Sequence, residues 1–228
     1  MNKKNNAYSP WKIVHHPEKI DQMRKKIQPV PLHVQMTISD LCNQNCSFCA
    51  YRMENYTTNQ LFKVEDPTTG IVNNNPNRMI PYDKCIEILN DCKEMGVKAL
   101  QYTGGGEPTV HPKHKEIFQH TLNLGLDLSL ITNGVVMRDG LPEILSQGSW
   151  VRFSLDAATK KSYSAIRDVP EDHFEKALKN ILKHDTKGEK VFTKYQWTEK
   201  SPLEVFNFFA NEMNLEKITP PYLNFKVL

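Results

Sequence analysis

The sequence predicts an α/β protein built as an open, partial (β/α)6 barrel of parallel strands. Short apolar runs rich in β-branched residues alternate with stretches of helical period along the chain. After residue 31 there are six such runs, at about 33 residues per strand–helix unit, the size of one βαβ step. The whole chain has 228 residues, fewer than the roughly 250 of a closed eight-stranded barrel. Alternation of this kind implies right-handed crossovers and a parallel sheet.

Residues 1–31 are polar and basic, with Glu18 and Asp21 as their acids, and they end in Pro29-Val30-Pro31. They read as a leader that packs on the surface, with one helix over 17–26. The barrel domain is expected over 32–228. Its strands are predicted at 32–39, 97–103, 126–131, 150–155, a more polar 190–196, and 222–228. A helix over 82–95 has Tyr82, Cys85, Ile86, Leu89 and Cys92 on one face and Gly96 as its stop. The next, over 111–124, carries His114, Ile117, Phe118, Thr121 and Leu122 and stops at Gly125. Shorter helices are predicted at 141–147 and 160–166. Two further faces are Phe174, Ala177, Leu178, Ile181 and Leu182 over 174–184, and Phe206, Phe209, Ala210 and Met213 over 202–214. Residues 51–80 show little periodicity and are rich in Asn, Thr and Pro, so they read as a long loop of the functional or disordered kind.

Composition narrows the function classes. The 29 basic and 26 acidic side chains leave a net +3, too near balance to argue for nucleic acid on charge alone. Five cysteines are an odd number, which speaks against a closed disulfide framework. No stretch approaches 18 apolar residues, and the opening Met1–Pro10 segment has no apolar signal core. A soluble, cytoplasmic protein of a reducing compartment, with no membrane partner, is the expectation.

Directly after the first strand stands Cys42-Asn43-Gln44-Asn45-Cys46-Ser47-Phe48-Cys49. Three cysteines at C-x3-C-x2-C on one loop can turn their thiolates around a single soft metal centre. They are one ligand short of a closed zinc site. A four-iron cube held by three cysteines keeps one iron open to an outside ligand. Structural zinc, a Cys46–Cys49 redox pair and inert packing remain the competing readings. The second strand ends in Tyr102-Thr103-Gly104-Gly105-Gly106-Glu107-Pro108, and glycines at a parallel strand's carboxyl end let a ligand approach the backbone. The third ends in Ile131-Thr132-Asn133-Gly134, which is also a plain turn signal. On the fourth, Arg152, Ser154 and Asp156 share one side. Arg167 follows, and a solvated pair with Asp168 is its simpler explanation. Cys85 and Cys92 sit on an apolar helix face and read as packing.

These four strand-end motifs, in this order, resemble the radical S-adenosylmethionine superfamily over residues 32–183, and the likeness thins over 184–228. The resemblance implies a TIM-like partial barrel with a [4Fe–4S] cluster on Cys42, Cys46 and Cys49. S-adenosylmethionine would then chelate the open iron and lie against Phe48. It further implies that Gly105, Gly106 and Glu107 bind the cofactor's amino group, that Thr132 and Asn133 border it, and that Ser154, Asp156 and Arg167 meet its ribose and carboxylate. Reductive cleavage to a 5′-deoxyadenosyl radical and hydrogen abstraction from a substrate would follow, with an electron donor such as flavodoxin or ferredoxin. No cysteine lies beyond Cys92, so the chain offers ligands for one cluster. The motif set is closest to branches that act on peptides, the preferred reading, or on nucleotide-derived molecules. An RNA-modifying enzyme and a non-catalytic metal-binding scaffold are the alternatives.

Overall fold

The computed structural model describes residues 7–8, 12–52, 63–65, 72–74, 79–185, 191–195 and 223–225. Its strands are β1 (His33–Met36), β2 (Lys63–Glu65), β3 (Val72–Asn74), β4 (Ala99–Tyr102), β5 (Asp127–Thr132), β6 (Trp150–Ser154), β7 (Val191–Tyr195) and β8 (Leu223–Phe225). The helices are α1 (Pro17–Arg24), α2 (Tyr82–Met95), α3 (His114–Asn123), α4 (Leu141–Leu145), α5 (Lys160–Arg167) and α6 (Asp172–Asp185). The helix expected over 202–214 lies outside the described residues.

Six strands form one sheet in the order β1-β4-β5-β6-β7-β8, parallel at every pairing. β1 and β8 are its two edges, so the barrel is open, as predicted. The segment over 51–80 is not all loop. β2 and β3 pair antiparallel within it, and Ser39 bridges to Met79 at its far end. Strands of three residues are too short to show a period of two, which is why the sequence read as aperiodic.

Alternation along the strands divides the sheet into two faces. Met36, Leu100, Tyr102, Leu128, Leu130, Val151 and Phe153 point outward and share one core with Cys85, Leu89 and Cys92 of α2, Ile117 and Phe118 of α3, and Phe174, Ala177 and Ile181 of α6. Gln35, Gln101, Ser129, Ile131, Arg152 and Ser154 occupy the alternate, inner positions. α2 ends where Gly96 turns to φ +88°, a conformation that costs glycine little. α3 begins at His114, three residues later than expected. The Glu107 carboxylate captures the Thr109 N–H and winds Pro108–Val110 as a separate 3-10 turn, after which His111 is extended.

The leader does more than lie on the surface. The Tyr8 hydroxyl reaches Asp127 O at 2.8 Å and Leu100 O at 3.1 Å. Its ring meets those of His33 and Trp150 edge-on, with centroids 5.1 and 5.4 Å away. His33, Asp127 and Trp150 open their strands, so Tyr8 forms the floor at the amino ends of the sheet. Among the described residues no helix is long and apolar enough to cross a membrane.

Candidate functional site

The opposite, carboxyl end of the sheet holds a cavity of about 440 Å³. Cys42, Cys46 and Cys49 line it, together with Phe48, Gly105, Gly106, Glu107, Thr132, Asn133, Ser154, Asp156 and Arg167. Every candidate residue of the four motifs therefore faces one space. Arg152, Ile131, Gln44 and Tyr51 complete much of the remaining wall.

The cysteine loop is held from two sides. Gly106 N donates to Ser39 O at 3.0 Å and Glu107 N to Leu41 O at 2.8 Å, so the loop's first turn lies flat on the glycine run. A Cβ on Gly106 would stand 2.1 Å from Leu41 O, and one on Gly105 would stand 2.5 Å from Asp40 Oδ1. Gly106 is required by the loop backbone's close approach before any ligand is considered, whereas at Gly105 the obstruction is the Asp40 side chain. On the other side, Asn45 N donates to Arg167 O and Ser47 N to Ile166 O, at 2.9 and 3.0 Å. The loop thus supplies donors that the last carbonyls of α5 lack within the helix.

Glu107 is almost wholly buried and its carboxylate is already well partnered. Oε1 accepts from Thr132 Oγ1 (2.7 Å), Thr109 Oγ1 (2.8 Å) and Thr109 N (3.1 Å), and Oε2 accepts from Asn133 N at 2.7 Å. Burial pushes the carboxyl above its ordinary range, while these donors pull it back. The residue expected to meet an ammonium group therefore clamps the end of β4 to the end of β5.

Arg167 is not a solvated partner of Asp168. It is 3% exposed and its Nη2 pairs with Asp156 Oδ2. Nη2 also donates to Ser154 O at 2.8 Å, and Nη1 donates to Gln44 Oε1. The guanidinium lies 4.9 Å from the Tyr163 ring centroid, and Gln44 Nε2 donates to Tyr163 Oη at 2.8 Å. Burial alone would lower the Arg167 pKa, but Asp156, Tyr163 and Cys46 raise it on balance. Asp168 instead accepts from Asn45 Nδ2 at 2.9 Å. Gln44 and Tyr163 were not singled out from the sequence. Nothing in the local pattern marks a glutamine between cysteines as an arginine's partner.

The three cysteines form no disulfide and are partly buried. Among the described residues no three His, Cys, Asp or Glu side chains are already gathered at ligand distance. Burial pushes the Cys46 thiol up to about 11, with Arg167 pulling the other way. Cys42 Sγ turns toward Asn43 Oδ1 and Cys46 Sγ toward Gln44 Oε1. Asn133 Nδ2 donates to Asn43 Oδ1 at 2.6 Å and reaches Cys42 Sγ at 3.9 Å. Three sulfur donors on one wall, with N–H donors behind them, fit an iron–sulfur cluster with one open position. Cys85 and Cys92 lie buried in the core, apart from this wall.

An open parallel barrel with three thiols at its carboxyl rim belongs to the class of α/β proteins that carry a soft-metal cofactor at the strand ends. The chain is a member of the radical SAM superfamily, whose family model matches residues 36–194. It is 28% identical over 156 residues to GTP 3′,8-cyclase of Chlorobaculum tepidum, covering 66% of this chain and 41% of that protein. It is 25% identical over 126 residues to an S-adenosylmethionine-dependent nucleotide dehydratase of Flammeovirga pacifica, covering 55% and 38%. The chain thus spans about two fifths of the length of the curated relatives it matches. Among solved structures, Streptococcus suis SuiB bound to S-adenosylmethionine shares the fold, with a TM-score of 0.61 at 19% identity over 95% of this chain and 44% of SuiB.

Proposed function

We propose that this chain is the core of an enzyme that cleaves S-adenosylmethionine reductively and directs the resulting 5′-deoxyadenosyl radical at a substrate held in the cavity. The observation that carries the reading is the convergence of Cys42, Cys46 and Cys49 with the strand-end residues on one cavity. When bound to these thiolates, a [4Fe–4S] cluster supplies the electron that opens the S–C5′ bond. The protein binds, orients and excludes water. The Gly104–Gly106 backbone and the second lone pair of Glu107 Oε2 receive the ammonium group. Arg167 offers its Nε, a buried donor with no partner, to the carboxylate, and Ser154 and Asp156 meet the ribose. Phe48 and Tyr51, both well exposed at the mouth, cover the adenine. A small electron carrier of the flavodoxin or ferredoxin type supplies the reductant.

For the substrate, the motif set supports a peptide, and the names of the cyclase and the dehydratase support a nucleotide-derived molecule. The test is anaerobic reconstitution with iron and sulfide, followed by dithionite and S-adenosylmethionine. Chromatography should then detect 5′-deoxyadenosine, and alanine at Cys42, Cys46 or Cys49 should abolish it. A four-iron cluster that binds without any 5′-deoxyadenosine release would sink the reading in favour of a scaffold.

A further inference from the structure

Four charged side chains line the cavity, namely Glu107, Arg152, Asp156 and Arg167. Three are already matched: Glu107 by its hydrogen-bond donors, Asp156 and Arg167 by each other. Arg152 is different. Among the described residues it makes no hydrogen bond or ion pair, and its Nε is buried without a partner. Its register neighbour on β5 is Ile131, which offers no charge. Burial already lowers its pKa.

Arg152 is half-buried, and a guanidinium that lines a cavity with its Nε shut away from water and unmatched gains when a complementary anion arrives. Its fork of N–H donors matches two oxygens of one phosphate or carboxylate group. Position separates it from the cofactor residues. Arg152 and Ser154 share the inner face of β6, and two residues of strand put Arg152 roughly 6–7 Å nearer the floor. Cys42, Cys46 and Cys49 lie at the other end, on the rim loop after β1. A molecule that reaches Arg152 therefore lies deeper in the cavity than the cysteine loop, with room between the two for the cofactor.

We propose that Arg152 anchors an oxyanion of the substrate, a phosphate or a carboxylate, at the inner end of the cavity. This rests on the cavity being the reaction chamber described above, and it narrows the substrate to an anionic molecule.

The test is calorimetric titration of the cluster-loaded enzyme, saturated with S-adenosylmethionine, with inorganic pyrophosphate and separately with succinate. At least one should bind the wild type, and Arg152→Gln should weaken it by about tenfold or more. Arg152→Lys should lie between, since it keeps the charge and loses the fork. Tighter binding of pyrophosphate assigns a phosphate, and tighter binding of succinate a carboxylate. The thermal midpoint of ligand-free Arg152→Gln should not fall below wild type, because the half-buried charge makes no ion pair or hydrogen bond among the described residues that its loss would break. Should that variant not fold, the Arg152→Lys titration decides alone.

Three results overturn the assignment: neither anion binds the wild type below roughly 10 mM, the substitutions leave anion affinity unchanged, or Arg152→Gln abolishes S-adenosylmethionine binding. The last would give Arg152 to the cofactor. Wild-type release of 5′-deoxyadenosine without anion binding refutes this inference alone. Anion binding without 5′-deoxyadenosine refutes the radical chemistry instead.

Discussion

The Glu107 carboxylate holds four protein hydrogen bonds and joins two strand ends before any cofactor is present. A residue that only met a ligand could be changed without cost to the empty protein. Glu107→Gln puts an amide N–H against donors that now meet an oxygen, so at least one buried donor is left unpaired. The cluster-free chain should lose about 2 kcal/mol in urea denaturation. An unchanged midpoint would show that Glu107 is not a clamp. The motif marked the residue, but the side chain's partners Thr109, Thr132 and Asn133 come from two separate elements, which no spacing rule joins. Arg167 follows the same logic, because the sequence offered it Asp168 as a neighbour and the fold gave it Asp156 and Gln44.

Elements meet here through glycine. The 39–42 turn crosses Gly105 and Gly106 with no room for a side chain, while its continuation docks on the last carbonyls of α5. Gly106→Ala would push its methyl group into the Leu41 carbonyl, which backbone cannot yield cheaply, at about 1–3 kcal/mol. Because the displaced segment leads directly into Cys42, iron bound per chain after reconstitution should fall well below wild type. Wild-type iron content with wild-type stability would refute the packing role. The helices were the most legible elements. Apolar period placed the α2 and α6 faces, whose Cys85, Leu89, Cys92, Phe174, Ala177 and Ile181 are buried. The start of α3 was missed because a side-chain cap from Glu107, not the apolar period, sets it.

The barrel is open at its edges, and at its amino end Tyr8 packs against β1, β5 and β6. Tyr8 contributes a ring between His33 and Trp150 and a hydroxyl to carbonyls of β4 and β5. Tyr8→Ala removes that packing from a half-buried site and should cost about 2 kcal/mol, less than an aromatic truncated in a core. Tyr8→Phe, which loses only the hydroxyl, should cost about 1 kcal/mol. Chemical denaturation of the three proteins measures both, and equal stability for all would remove Tyr8 from the floor. A leader tyrosine among polar and basic residues carries no sequence sign of this role.

Short-range period and fixed spacing within single loops were enough to read the α/β alternation, the open six-stranded parallel sheet and the family. The sequence also named many of the residues that line the cavity, because most of the motifs that hold them close strands of one sheet, but Gln44 and Tyr51 on the same wall were not among them. Which partner each one takes is visible only in the folded chain. Arg167 and Gln44 are 123 positions apart, and Tyr8 and Asp127 are 119 apart. Contacts at that separation arise from how strands stack and turn, which local pattern does not encode. The same stacking sets the matched pairs on the rim and, among the described residues, leaves the Arg152 Nε without a partner below them.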